Sequence, residues 1–311
     1  MLHFLTMADN KGPIRRYLRW WGGPLRGRTR ILSYEAIADA GVLPDGAYIF
    51  GDVDRLTGAA LAHAKRIWDA LEARGSHRVR LLNQPGTALK RRELLKALHA
   101  RGDNLFNVHD LDAPREGLRY PVFIRHSREH HGSYTEILQN AAEVEAAERD
   151  LVAAGHDPAD LLIVEYLDTS EDGLFRKYSA MRVGERMLSH HIFADEKWVV
   201  KGSFDPPDAR RAEDMAFLQD QSHLGTLADV FEMARIEFGR VDYALKDGAI
   251  QVWEINTVPH MLINKRYYSA DQIREKQAFA DQLNAALAAL DPVVKSSPVQ
   301  RLRAWIDLWR S

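Results

Sequence analysis

Three oxygen-bearing side chains lie close together near the carboxyl-terminal part of the sequence: Asp242 in GRVDYAL, and Glu254 and Asn256 in VWEINTVP. Residues two apart on a strand point to the same face, so a strand would present Glu254 and Asn256 together. Asp242 would lie on the antiparallel partner and can reach that face. Carboxylate and amide oxygens suit Mg²⁺ that also binds phosphate oxygens. The alternative is an acid and an amide that only cap a sheet edge.

Arg240 stands two residues before Asp242 and therefore on the same strand face. A guanidinium fork binds a phosphate or a developing oxyanion through paired hydrogen bonds. The spacing predicts that Arg240 stabilises negative charge beside the metal. The alternative is that Arg240 only pairs with the neighbouring acids.

A β-hairpin must position these residues. The sequence predicts strands over 240–245 and 250–255, joined through Asp247-Gly248, which is a strong turn signal. Glu254 stands in a strand that is otherwise apolar, where a carboxylate is costly to bury without an opposite charge. The hairpin therefore favours a functional role for this glutamate.

Length and composition limit the rest of the interpretation. A chain of 311 residues allows two or three structural units, and the absence of cysteine excludes disulfides, thiolate metal sites and a cysteine nucleophile. The formal net charge of −2 argues against nucleic acid as a partner of the whole chain. No apolar run is long enough for a membrane span and the first residues lack the order of a signal peptide, so we expect a cytoplasmic protein.

The first third of the chain alternates strands with helices, as a parallel sheet with crossover helices requires. We therefore predict a small parallel α/β domain over residues 1–112. Its predicted strands are Leu2–Thr6, 47–50 and Val79–Leu82, and its predicted helices are 57–74 and 88–100.

The segment 11–30 holds seven basic residues and the pair Trp20-Trp21. It could contact an anionic surface, such as that of a membrane. It could equally form an amphipathic helix whose tryptophans pack on the body while its arginines remain solvated. Both interpretations stay open.

A second unit is predicted over residues 113–292, with antiparallel pairing around a tight turn at Gly184-Glu185. A closing helix is predicted within 293–311, where Leu302, Trp305 and Trp309 recur at helical spacing. Besides the hairpin described above, the predicted strands of the second unit are 120–125, 161–166, 178–183, 186–192 and 198–200. Its predicted helices are 133–154, 208–220 and 224–238.

The run GRVDYALKDGAIQVWEINTVP resembles the D-alanine–D-alanine ligase pattern of the ATP-grasp superfamily, and the resemblance extends over residues 79–261. It implies an α/β fold with α+β parts, namely an ATP-grasp fold preceded by a small parallel domain. It also implies ATP and two Mg²⁺ ions, for which Mn²⁺ can substitute, held by Asp242, Glu254 and Asn256. Arg240 matches an arginine that steadies the acyl-phosphate. His260 stands where the family usually has a glycine whose backbone N–H helps form an oxyanion hole.

The resemblance further implies nucleotide contacts in VFIRHSREHHGSYTE and NQPGTALKRRELL. Arg125 stands at the position of a phosphate-binding lysine and can replace it, because a guanidinium binds phosphate at two points. Ser127, Gly132 and Ser133 belong to the loop expected to cover the phosphates, although Ser133 could instead begin a helix. Lys90 matches the family's other phosphate lysine, with a solvated surface lysine as the alternative.

The strand LLIVEYLD resembles the hinge that reads adenine through main-chain groups, which implicates Glu165, Tyr166 and Leu167. Lys177 stands where family members often have an acid for the ribose hydroxyls. Either Lys177 contacts the ribose or a phosphate, or an acid of the preceding loop, Glu171 or Asp172, binds the ribose.

The implied activity is that of an ATP-dependent carboxylate–amine ligase, which forms an amide through an acyl-phosphate from small carboxylate and amine substrates, an amino acid or a small peptide among them. The segment 262–269 does not match the D-alanine ligase continuation. The first alternative is a phosphotransferase acting on a hydroxyl of an anionic acceptor, to which Arg125, Arg128, Lys177 and Lys201 would be suited. The second is a regulatory nucleotide-binding module. An assembly of identical chains is compatible with the sequence.

Overall fold

The computed structural model describes residues 1–38, 40–129, 132–201 and 208–292. The closing helix expected within 293–311 lies outside these residues. Within them the chain forms twelve strands and seven α-helices. The strands are β1 (Leu2–Thr6), β2 (Thr29–Ser33), β3 (Gly46–Phe50), β4 (Val79–Leu82), β5 (Val108–Asp110), β6 (Val122–His126), β7 (Leu161–Glu165), β8 (Ser170–Glu171), β9 (Leu174–Val183), β10 (Arg186–Asp195), β11 (Phe238–Lys246) and β12 (Ala249–Asn256). The helices are α1 (Gly12–Trp20), α2 (Gly58–Glu72), α3 (Arg91–Arg101), α4 (Ala141–Ala153), α5 (Asp208–Phe217), α6 (Leu224–Ala234) and α7 (Ala270–Ala288).

The amino-terminal sheet is parallel throughout, with the strand order β2-β1-β3-β4. Strands β1 and β3 are buried along their whole length, which is typical of parallel strands covered on both faces. The three predicted strands and the helix α2 are confirmed. The edge strand β2, which begins with Thr29 and Arg30 of the basic segment, was not predicted.

The basic segment folds as an amphipathic helix followed by a short 3₁₀ turn. Ile14, Tyr17 and Leu18 of α1 are buried, as the i, i+3, i+4 spacing of one helix face requires. Trp21 is also buried, and its indole N–H donates to the Ile263 carbonyl at 2.7 Å. The apolar face thus packs on the body of the protein, which favours the amphipathic-helix interpretation.

A small antiparallel sheet follows, with the order β5-β7-β6. The division at residue 112 stays a prediction; β5, which precedes it, pairs with β7. The predicted helix over 133–154 was wrong at its start, because α4 begins at Ala141 with Asn140 as its cap. The Asn140 side chain accepts the Glu143 N–H at 3.1 Å. Ser133 therefore does not cap a helix, and it instead pairs with Arg125 in an isolated bridge.

The large sheet has the antiparallel order β10-β9-β11-β12, with the short β8 paired to β9. Both predicted hairpins are confirmed. Asp247 and Gly248 link β11 to β12 with φ values of 51° and 78°, the left-handed conformation that a two-residue turn of this kind requires at both positions. The predicted strand over 198–200 was wrong: this segment is a loop, and the Trp198 ring packs against Phe123 at 4.8 Å between centroids.

Helix α7 was not predicted. It begins with a capping box in which the Ser269 side chain accepts the Gln272 N–H and the Gln272 side chain accepts the Ser269 N–H. Its buried face, including Phe279 and Leu283, joins the core that links the amino-terminal sheet to the large sheet. Within the described ranges, no helix is long and apolar enough to cross a membrane.

Candidate active site

The two antiparallel sheets face each other across a cleft with a volume of about 350 Å³, which we call the inter-sheet cleft. One part of its lining is apolar and one part is charged. The apolar part includes Phe123, Tyr166, Leu167, Trp198, Val199 and Trp253. The charged part includes Arg125, Arg176, Lys177, Lys201, Asp242 and Glu254. A flat aromatic ligand group and a polar, charged ligand group can therefore be bound side by side.

Asp242 and Glu254 lie directly opposite each other in the β11–β12 ladder. The next pair of the ladder is Tyr243 with Val252, so Trp253 is an extra residue that forms a β-bulge. Neighbours on a regular strand face opposite sides, whereas the bulge allows both Trp253 and Glu254 to line the inter-sheet cleft. The expected convergence of Asp242 and Glu254 is confirmed.

Three side chains contact or closely approach the Asp242 carboxylate. Arg240 binds it at two points, with Nε to Oδ1 at 2.7 Å and Nη2 to Oδ2 at 2.9 Å, and Lys177 Nζ lies 3.6 Å from Oδ2. The Ser179 hydroxyl donates to Oδ1 at 2.9 Å. Burial acts to raise the pKa of Asp242, but the charges of Arg240 and Lys177 outweigh it and hold the pKa below its usual value. The carboxylate is therefore ionised.

Glu254 is bound by two arginines. Arg125 Nη2 lies 2.9 Å from Oε2, and Arg91 donates to the same oxygen. The side chain of Arg91 is only 4% exposed, and it also donates to the carbonyls of His126 and Glu129. Sequence reasoning missed Arg91, since nothing in the run Lys90-Arg91-Arg92 distinguishes the buried residue from its neighbours.

Asn256 ends β12 opposite Arg240 in the ladder. Its Oδ1 accepts the Val258 N–H at 2.9 Å, and a carbonyl oxygen retains a second lone pair for another partner. In the described part of the chain, no group of three or more histidine and acidic side chains could hold a metal ion. The metal-ligand role of Asp242, Glu254 and Asn256 stays a prediction.

The chain resembles solved structures over nearly its whole length. It superimposes on the D-alanine–D-alanine ligase of Bacillus anthracis complexed with ATP with a TM-score of 0.53 and 14% identity, covering 93% of this chain and 95% of that chain. A second structure of the ligase from the same organism gives a TM-score of 0.52 at 13% identity, and the match covers 97% of this chain and 99% of that chain. The chain has the ATP-grasp fold. The predicted fold class is thereby confirmed. Neither a protein-family model nor a curated protein matches the sequence.

Most of the nucleotide contacts predicted from the ATP-grasp resemblance line the inter-sheet cleft. Gly132 and Ser133 lie in its wall, as do Tyr166 and Leu167 at the end of β7. Lys177 also lines the cleft, close to Asp242. Of the alternatives for the ribose, Glu171 at the end of β8 and Asp172 in the turn before β9 are both exposed. The ribose contact stays a prediction for all three.

Three other predicted contacts lie differently. The Lys90 ammonium donates to the Leu56 carbonyl at 3.0 Å, and burial lowers its pKa. The Ser127 backbone N–H donates to the Asp160 carbonyl at 2.8 Å. The Glu165 carboxylate accepts hydrogen bonds from Arg119 Nε at 3.0 Å and from the Asn107 N–H at 2.9 Å. The structure brings none of these side chains into the inter-sheet cleft, and their roles stay predictions.

A second cleft, of about 430 Å³, lies beside the first. Arg240 and His260 line this second cleft, together with residues of β10, α5 and α7, and Arg16 reaches it from α1. Arg16 Nη1 lies 2.8 Å from His260 Nδ1, while Arg240 Nη1 donates to the His260 carbonyl at 3.2 Å. Because a guanidinium only donates, His260 Nδ1 accepts and the ring is neutral with its proton on Nε2. Partial burial and the charges of both arginines lower the pKa of His260, which maintains this neutral state.

Proposed function

We propose that the protein is an ATP-dependent carboxylate–amine ligase that forms an amide bond through an acyl-phosphate. One observation carries this proposal: the ion pair of Arg240 with Asp242 links the two clefts, because Asp242 lines the inter-sheet cleft and Arg240 lines the second cleft. A nucleotide bound in the first cleft and a small substrate bound in the second would meet at this pair. The ATP-grasp fold of the D-alanine–D-alanine ligase from Bacillus anthracis supports the same assignment.

The inter-sheet cleft fits ATP with magnesium. Its aromatic part suits a purine base, and its cations Arg125 and Lys177 suit phosphates. Asp242 and Glu254 are largely buried carboxylates that already attract cationic side chains, and their oxygens are the ligands that Mg²⁺ prefers. Together with Asn256 they would hold the ions, which when bound neutralise the charge of the phosphate oxygens.

The proposed reaction has two transfers at the boundary of the clefts. A substrate carboxylate oxygen attacks the terminal phosphorus of ATP, a new O–P bond forms, and ADP leaves. The amine nitrogen then attacks the carbonyl carbon of the acyl-phosphate, phosphate leaves, and the nitrogen loses a proton. Arg240 would bind the transferred phosphoryl group and the tetrahedral oxyanion, with a backbone N–H at His260 as second donor. These side chains act by positioning and charge, so the protein requires no nucleophile of its own.

The acids of the second cleft are poorly placed to serve as the base that phosphoryl transfer to a hydroxyl needs. A hydroxyl acceptor needs a base to take its proton, whereas a carboxylate is already ionised. The described acids of the second cleft, Glu213, Asp214 and Glu275, are each paired with an arginine or a lysine. The cations that suited a polyanionic acceptor also lie elsewhere: Arg125 and Lys177 line the inter-sheet cleft, and Arg128 pairs with Asp160.

The test is to incubate the protein with ATP, Mg²⁺ and pooled amino acids, dipeptides and small carboxylates. Free phosphate, the nucleotide product and new masses are then measured. The proposal expects ADP, free phosphate and an amide in equal amounts, and no turnover by Glu254→Gln. A phosphorylated acceptor without free phosphate would identify a phosphotransferase. Nucleotide binding without any product would identify a regulatory module.

A further inference from the structure

The second cleft has an excess of positive charge. Its described lining contains five arginines and lysines but only three aspartates and glutamates. All three acids are neutralised by neighbouring cations, in the pairs Glu213 with Arg176 at 2.6 Å, Asp214 with Lys276, and Glu275 with Arg211 at 2.9 Å. Arg240 is neutralised from the other side by Asp242.

Two arginines of the second cleft remain without a carboxylate partner among the described residues, Arg16 and Arg210. Arg16 is exposed and contacts the neutral His260 ring at 2.8 Å. Arg210 donates to the Ala194 carbonyl at 3.1 Å. A guanidinium has five N–H donors, so one neutral contact leaves most of the fork of each arginine available to a ligand.

The contact with His260 orients Arg16 without neutralising it. Accepting at Nδ1, the neutral imidazole holds one end of the guanidinium and contributes no negative charge. Since Arg240 donates to the carbonyl of the same histidine, His260 lies between Arg240 and the exposed Arg16. A ligand that spans this residue would contact Arg240 with its reacting end and Arg16 with its distant end.

We propose that the second cleft selects a substrate that carries an oxyanion besides its reacting group, and that Arg16 binds this distant oxyanion with Arg210 as a second cation. The chemistry required is a planar or tetrahedral oxyanion, supplied by a carboxylate or a phosphate. This inference rests on the proposed ligase function, because it assigns the second cleft to the substrate. It also gives a function to the basic segment 11–30, since α1 brings Arg16 to the cleft.

The test is a binding experiment that requires no turnover. Pairs of ligands that differ only in the distant group are titrated against the full chain in the presence of ADP and Mg²⁺, by ligand-observed NMR: glutamate with glutamine, aspartate with asparagine, and phosphoserine with serine. The variants are Arg16→Gln and Arg16→Lys. The matched control is Arg15→Gln, which removes an exposed arginine of the same helix that does not line the second cleft. Thermal unfolding verifies that each variant is folded.

We expect at least one acidic ligand to bind about tenfold more tightly than its neutral partner. Arg16→Gln abolishes this preference, Arg16→Lys retains part of it, and Arg15→Gln leaves it unchanged. Preference for glutamate or aspartate identifies a carboxylate, and preference for phosphoserine identifies a phosphate. The inference is overturned if both members of every pair bind equally or if none of the acidic ligands binds. It is also overturned if Arg15→Gln and Arg16→Gln lose the preference for the acidic ligand to the same extent. The ligase assay is independent: amide formation without an acidic preference leaves the proposed function standing.

Discussion

Arg240 and Asp242, two residues apart on β11, form a two-point ion pair whose N–O distances are 2.7 and 2.9 Å. Both side chains are largely buried, at 13% and 4% exposure, so solvent screens the pair poorly. Each residue of the pair lines a different cleft. A change of charge beside Asp242 in the inter-sheet cleft therefore acts electrostatically on Arg240 in the second cleft, and the reverse also holds.

Replacing Arg240 tests its proposed role in stabilising negative charge where the two clefts meet. We expect Arg240→Lys to keep the positive charge beside Asp242 but lose the two-point geometry, and Arg240→Gln to lose both. The turnover number should fall on the order of 100-fold in Arg240→Gln and less in Arg240→Lys, since the interaction lost is made mainly in the transition state. Steady-state kinetics measures both values. A variant with raised KM for ATP and unchanged turnover would show that Arg240 only binds the nucleotide.

Arg91 is expected to stabilise both the fold and the Glu254 carboxylate. Arg91→Met removes a buried guanidinium that binds Glu254 and two backbone carbonyls, and we expect the free energy of unfolding to fall by about 3 kcal/mol. The matched control is Arg92→Met, because Arg92 is more exposed and pairs with Asp110 at 2.7 Å. That change should cost less than about 1 kcal/mol. Urea unfolding measures both, and equal costs would contradict the role given to Arg91.

Ser179 is expected to position a metal ligand. Its hydroxyl donates to Asp242 at 2.9 Å and contacts His191 Nε2 at 3.0 Å. Ser179→Ala should weaken Mg²⁺ binding in the presence of nucleotide about tenfold, because partners of a ligand fix its orientation. Nucleotide binding measured against Mg²⁺ concentration tests this. An unchanged Mg²⁺ requirement, with Ser179→Thr as the conservative control, would exclude a positioning role.

Acid should destabilise the protein through His3. Burial is the main cause that lowers the pKa of this histidine to about 4, and its ring stacks on Tyr48 at 4.4 Å. As pH falls from about 6.5 to 4, the unfolded chain binds a proton at His3 that the folded chain does not, so stability decreases over this window. The expected loss is on the order of 3 kcal/mol. In His3→Phe, the free energy of unfolding should depend less steeply on pH across this window than in the unmodified protein. The difference in the free energy of unfolding between the two proteins at pH 8 serves as the reference. If this difference stays the same down to pH 4, His3 is excluded as the cause.

The sequence predicted the elements with a strong periodic signal. The β11–β12 hairpin combines alternating residues with an Asp-Gly turn, and β3 of the parallel sheet is an almost wholly apolar run. By contrast, β5 and β8 have three and two residues, too few for any periodicity. Helix α7 could have been found from Ser269 and Gln272, which have the spacing of a capping box.

The site was predictable where it depends on local pairing. Asp242 and Glu254 meet because they oppose each other in a short hairpin. The contacts of Arg91 with Glu254 and of Arg16 with His260 join residues 163 and 244 positions apart, and no local pattern encodes them. At the start of α3, a shift of one residue decides whether a cation points toward Leu56, as Lys90 does, or toward Glu254.

The most direct measurement is a calorimetric titration of a nonhydrolysable ATP analogue with and without Mg²⁺, on the unmodified protein and on Glu254→Gln. We expect one binding site per chain, with affinity at least tenfold higher when Mg²⁺ is present, and loss of this Mg²⁺ effect in Glu254→Gln. Equal affinity with and without Mg²⁺ in the unmodified protein, or an unchanged Mg²⁺ effect in the variant, would contradict the assignment of Asp242 and Glu254 to a magnesium–nucleotide site.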